Sequence, residues 1–159
     1  MSIITQYEQN KAVVENWFRG FWGNSVDLSV VDRYLAEDAQ LNYSGRESLR
    51  GHQQIRRFIQ GFRRAYPDLV FWQVGELIAE GEYVIGRWDG MATHTGPAFD
   101  DSLVGVPYAN SGMSIRFTGG SIRFHLVDGQ IKEVRAQGQA LIALQPDSVD
   151  WFKPSLHAY

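Results

Sequence analysis

The chain of 159 residues contains no cysteine, which excludes a disulfide framework, a thiol nucleophile and cysteine metal sites together. Long apolar runs are missing too. No stretch approaches the roughly 18 consecutive apolar residues of a membrane span, and none reads as a signal peptide. The expected compartment is therefore the cytoplasm, with no membrane partner. Positive charge is scarce: the net charge is −3, and the one basic cluster, Arg56-Arg57 with Arg63-Arg64, reads as a solvated helix face. Nucleic acid is not an expected partner. The histidines, at 52, 94, 125 and 157, have no close spacing, so no metal is expected. No glycine-rich phosphate loop or Ser-His-Asp arrangement stands out.

Aromatic residues are plentiful. They make up 13% of the chain, with nine Phe and five Trp, and point to a large apolar interior or cavity. Hydrophobic content of 44% with 21% charged fits one soluble domain. We divide the chain into a single domain over 1–145 and a tail over 146–159, whose Trp151 and Phe152 need apolar cover.

The stretch 111–145 organises the rest. Two long apolar-polar runs, SGMSIRFTGGSIRFHLV and QIKEVRAQGQALIALQ, flank Asp128-Gly129, the strongest short-range hairpin signal. Arms of about fifteen residues span roughly 50 Å, so they must curve, and Gly119-Gly120 and Gly138 are the expected bends. A two-residue loop sets Val127 across from Gln130. A three-residue loop sets Arg123 across from Glu133 and His125 across from Ile131, and this is the expected register because it opposes unlike charges. It places Ser121, His125, Arg135, Gln137 and Gln139 on one face, expected to look into a pocket. Ile122, Phe124, Lys132, Val134 and Ala136 fall on the other.

Upstream the period is helical. Val13, Val14, Trp17, Phe18 and Phe21 predict a helix over 6–22, a second starts near Asp27, and Ile55, Phe58, Ile59 and Phe62 predict a third over 51–65. The segment 39–43 reads as a short strand. From Leu69 the period is two, giving strands over 69–81 and 82–96. The segment 97–110 has no clean period and suits a lid or binding loop. Helices followed by long antiparallel strands give an α+β class: a cone-shaped curved sheet wrapped over three N-terminal helices, enclosing a pocket.

Several motifs, AYPDL (65–69), ELIAEGEYVIGRW (76–88), THTG (93–96), VDGQIKEV (127–134) and ALIALQ (140–145), resemble the SnoaL-like polyketide cyclase family. That family belongs to the nuclear-transport-factor-two-like, cystatin-like superfamily of α+β cones. The resemblance runs over about 8–145. It implies a cofactor-independent enzyme closing, isomerising or dehydrating a hydrophobic carbonyl-bearing small molecule, polyketide- or terpenoid-like. It also implies a homodimer through the open sheet face, with Phe124 and Val134 in the interface. The family's closing Glu-x-Trp-x-x-x-Asp pattern reads here as Glu133 to Gln139, so Gln139 stands at the acid position and Arg135 at the Trp position. An amide is no general base at neutral pH. A non-catalytic binder or scaffold that lost the acid is therefore the alternative reading. Ketosteroid isomerase, of the same superfamily, has carboxylates where this chain has Tyr43 and, nearby, Ser121, so that activity is not expected.

The resemblance places a family histidine at His125, the expected acid/base. Arg135 and Gln139 would orient substrate or stabilise charge. Asp89 would supply the missing carboxylate if its surroundings raise its pKa, the bland reading being an outer-face ladder with Arg87. His94 is either a pocket-rim contact or a hydrogen-bonded anchor for the strand end. Trp17, Tyr43, Phe58, Phe62 and Trp72 are expected as core or substrate-binding wall.

Overall fold

The computed structural model describes residues 2–43, 47–98, 112–137 and 140–144. Helix α1 (Ile3–Phe21) opens on Ser2, whose hydroxyl accepts from the Thr5 amide at 3.2 Å, satisfying one of the amides a helix start leaves unpaired. Its buried residues Val14, Trp17, Phe18 and Phe21 keep the i, i+3, i+4, i+7 spacing of a core-facing stripe. A short α2 (Ser29–Tyr34) leads directly into β1 (Leu35–Asn42), longer than the strand expected over 39–43. After β2 (Leu49–Arg50) comes α3 (Gly51–Ala65), which buries Ile55, Phe58, Ile59 and Phe62 and stops before Tyr66-Pro67. Proline pushes its predecessor out of helical geometry.

The remaining strands are β3 (Val70–Gln73), β4 (Ile78–Glu80), β5 (Tyr83–Thr93), β6 (Ser114–Thr118), β7 (Ser121–Val127), β8 (Gln130–Gln137) and β9 (Ala140–Leu144). The strand expected over 69–81 is thus two pieces, parted at Gly75, whose φ of +77° favours glycine. The sheet runs β2-β1-β8-β7-β5-β6-β9, with β3 and β4 also pairing β5. Its pairings are antiparallel except β1 with β8.

The long hairpin is present. Ser121 pairs with Gln137 and Thr118 with Ala140, so β7-β8 and β6-β9 continue one register across the glycine bend. The turn is the two-residue one: Val127 pairs with Gln130, with Asp128 at φ +52° and Gly129 at +78°. The preferred three-residue register is therefore corrected. A bulge at Lys132 then shifts the pairing, so His125 faces Glu133 and Arg123 faces Arg135. Lys132 Nζ reaches Asp38 at 2.8 and 3.0 Å, tying this bulge to the irregular middle of β1.

The sorting of side chains into two faces holds for the described residues except Lys132, which stands in the bulge rather than beside Phe124 and Val134, but the faces are inverted. Ile122, Phe124, Val134 and Ala136 are buried toward the helices. Trp17 lies edge-on to Phe124 at 5.8 Å, and Trp88 does so at 5.6 Å. Ser121, Arg123, His125, Arg135 and Gln137 look away. The reason is energetic: burying a Phe or Val side chain is worth about 1.5–3 kcal/mol, so the apolar face takes the interior. Phe124 and Val134 are fully buried and cannot form the expected dimer surface.

Candidate functional site

A hollow remains between helices and sheet. Phe18 and Trp22 line it from the end of α1, and Tyr43 from just past β1. Phe62, Phe71, Phe117 and Ile122 come from α3, β3, β6 and β7. Gly90 on β5 makes this packing possible: a Cβ there would come within 2.5 Å of the Phe71 ring. The free space is only about 20 Å³, room for about one water, whereas small-molecule sites measure about 300–1,000 Å³. Aromatic rings fill the space expected for substrate.

One polar pair sits in that wall. Trp22 Nε1 donates to Tyr43 Oη at 3.2 Å, and both groups are buried. The Trp22 ring also stands edge-on to Phe21, Phe58, Phe62 and Phe71. Its backbone is equally tied. The Phe71 amide donates to Trp22 O at 3.0 Å, and Arg63 Nη2 donates to Phe21 O at 2.6 Å and Gly23 O at 2.8 Å. Half-burial draws the Arg63 guanidinium down to about 10, so it stays charged at neutral pH. Arg63 is thus no solvated surface residue; it binds the carbonyls that the end of α1 leaves open. Tyr66, buried at the end of α3, has its phenol pushed up to about 12 by desolvation.

The residues expected to act together are dispersed. His125 stacks on Tyr83 at 4.8 Å, with Nε2 3.2 Å from Glu82 Oε1, on the outer face. Arg135 donates to Glu133 at 3.1 Å, and Glu133 also accepts from Asn42 at 3.0 Å and lies 3.9 Å from Arg123. Arg135 is thus paired with a carboxylate on the outer side rather than held free for substrate. Asp89 is 5% exposed but points away from the hollow: it pairs with Trp72 across β3-β5, whereas Gly90 faces Phe71. By the same alternation Phe71 lines the hollow and Trp72 does not. Gln139 and most of the 97–110 segment lie outside the described residues, as does the 146–159 tail.

Of the expected wall, Tyr43 and Phe62 line the hollow, and Phe58 packs behind them against Tyr43. Trp17 is core, stacked on Phe21 at 4.7 Å. His94 is fully buried, with Nε2 2.6 Å from Pro97 O. Its own amide and carbonyl hold Met113 and Gly112. It anchors the strand end. The sequence reading missed Trp22, Phe71, Phe117 and Arg63. Trp22 carried a signal, an aromatic immediately before the Gly23 stop; Phe71 needed the parity of β3, which one sequence leaves open.

Among the described residues no cluster of three His, Asp or Glu is arranged to hold a metal. No described helix is long and apolar enough to cross a membrane.

Helices seated in a curved, largely antiparallel sheet, with an aromatic hollow between them, define an α+β cone of the nuclear-transport-factor-two-like class. Within that class the chain belongs to the SnoaL-like polyketide cyclase family, whose profile matches residues 12–145. It is similar in structure to a SnoaL-like polyketide cyclase from Jannaschia sp. CCS1, at 23% identity and TM-score 0.69, covering 87% of this chain and 89% of that one. A polyketide cyclase structure from Acidithiobacillus ferrooxidans gives 20% and 0.62, covering 89% and 91%. An LEH-like epoxide hydrolase from M. tuberculosis gives 20% and 0.57, covering 82% and 83%. At such identities the likeness is one of fold. No functionally curated protein matches the chain.

Proposed function

We propose that the chain is a small-molecule enzyme that takes a flat, hydrophobic, carbonyl-bearing substrate into the hollow and activates its carbonyl through the Tyr43 phenol, which the Trp22 indole holds until substrate displaces it. The observation that carries this is the 3.2 Å indole-to-phenol hydrogen bond in an otherwise apolar wall. Once substrate has displaced the indole, the Tyr43 O–H hydrogen-bonds more strongly to the carbonyl as that carbonyl becomes an enolate. Donors aimed at developing negative charge in a water-poor site are worth about 10²–10³ in rate. Polyketide- or terpenoid-like intermediates fit this chemistry. Among the described residues the hollow's lining carries no carboxylate or imidazole, so water takes the proton released next to the carbonyl, and cyclisation, isomerisation or dehydration follows from the enolate.

The second reading, a binder without turnover, is favoured by Gln139 at the family's acid position. One experiment separates the two. The protein is incubated with flat aryl ketones in D₂O, and deuterium uptake next to the carbonyl is followed by mass spectrometry. Protein-dependent uptake that Tyr43→Phe lowers about a hundredfold supports the enzyme. Ketone binding with no uptake above buffer leaves the binder. Self-association, if it uses the sheet, would draw on the exposed Ile78, Tyr83 and Ile85 of the outer face. Loss of a sedimenting dimer in Ile85→Lys would support that route, and an unchanged dimer would reject it.

A further inference from the structure

A hollow with space for one water cannot admit a ring system unless part of its wall moves. Most of that wall sits inside helices or strands. Trp22 does not: it follows the last residue of α1, and Gly23 comes next. A side chain on Gly23 would come within 2.6 Å of Arg19 O, so glycine is needed for the chain to leave the helix directly after Trp22. Beyond Phe18 and Phe71 lies an open groove of about 350 Å³, bordered also by Gly23, Asn24, Gln73 and Trp88. The groove and the hollow share Phe18 and Phe71 as walls. An indole turning outward at residue 22 leaves the hollow and gives up its hydrogen bond to Tyr43 together with its edge-on contacts to Phe21, Phe58, Phe62 and Phe71.

Arg63 holds this segment in place. Its Nη2 grips the carbonyls on either side of Trp22, and its Nη1 lies 3.4 Å from Leu69 O, two residues before Phe71. Its Nε is buried with no hydrogen-bond partner, and no carboxylate ion-pairs with it, among the described residues. A guanidinium held only by backbone carbonyls ties the end of α1 to α3 and to the approach of β3, and it sets how often residues 21–23 move.

We infer that Trp22 is the gate of the hollow and that Arg63 is the positioning residue that latches it, so that a planar ligand enters by replacing the indole beside Tyr43. This rests on the proposed ligand site, but its latch can be tested without a ligand. The full chain is labelled with 5-fluorotryptophan, and the ¹⁹F line of Trp22 is assigned as the one lost in Trp22→Phe. Exchange of that line is measured in wild type, Arg63→Lys, Arg63→Met and, as a destabilised core control, Val134→Ala. Arg63→Lys keeps a cation at the site should the Met variant fail to fold.

The expected result is a minor state of Trp22 that grows about tenfold in the Arg63 variants and not in the control. Stopped-flow association of 2-acetylnaphthalene should rise by about the same factor, because apparent affinity scales with the open fraction. A Trp22 line indifferent to both Arg63 substitutions overturns the latch. Ketone binding at an unchanged rate, with that line unchanged, leaves the ligand site standing and removes the gate. A responsive line with no ketone binding in any variant keeps the gate and removes the ligand reading.

Discussion

Strand β7 presents two unlike surfaces one residue apart. Toward the helices, Ile122, Phe124 and Leu126 meet rings and aliphatic groups. Toward the outside, Arg123 and His125 meet Glu133, Glu82 and Tyr83. Titratable groups on the outer face keep partial contact with water and pair with one another. The inner face has almost no polar groups, so a single indole-phenol bond there acts against little competition from water. Polar side chains in the family's positions suggested the outer face as the site; the physical environment favours the inner one.

The largest expected effect sharpens this contrast directly. Phe124→Ala removes a ring wedged between Trp17 and Trp88 and should cost about 3–5 kcal/mol in a urea melt. Tyr43→Phe leaves the buried Trp22 indole N–H without its acceptor, so it should cost about 1–3 kcal/mol while lowering carbonyl enolisation about a hundredfold. Arg63→Ala strips charged donors from the end of α1 and should cost about 1.5–3 kcal/mol. His125→Ala, next to Phe124 in sequence, breaks a partly exposed pair with Glu82 and should shift the melt by less than about 1 kcal/mol with turnover unchanged. A loss of turnover in His125→Ala at intact stability would reverse the comparison.

The smallest effect is alkaline. The folded protein keeps the Tyr66 phenol protonated to about 12, while the unfolded chain releases that proton near about 10. Between these values the unfolded state binds fewer protons, so stability falls as pH rises. Tyr66→Phe removes one proton from that linkage, and its urea midpoint should fall less steeply than wild type over the same range.

Much of the fold was legible because local signals agreed. Asp128-Gly129 forms a two-residue turn at positive φ, Tyr66-Pro67 stops α3, and the 3.6 period found the buried residues of α1 and α3. Register was harder, since the bulge at Lys132 depends on the Asp38 contact across β1, a partner 94 positions away in sequence. Parity also changes across Gly119-Gly120: Phe117 and Ile122 both face inward though an odd number of residues apart. The site was least legible. His125 and Arg135 share a face, as the pattern implied, but which face looks inward depends on where Trp17 and Trp88 pack.

The central claim is that ligand recognition belongs to the inner face, at Trp22 and Tyr43. Titrating the ¹⁵N-labelled protein with 2-acetylnaphthalene, and following the Trp22 indole and His125 imidazole signals together, tests it in one series of spectra. The account expects the indole to move as its bond to Tyr43 is exchanged for ligand contact, with the imidazole still. Movement of the imidazole with an unmoved indole would contradict it.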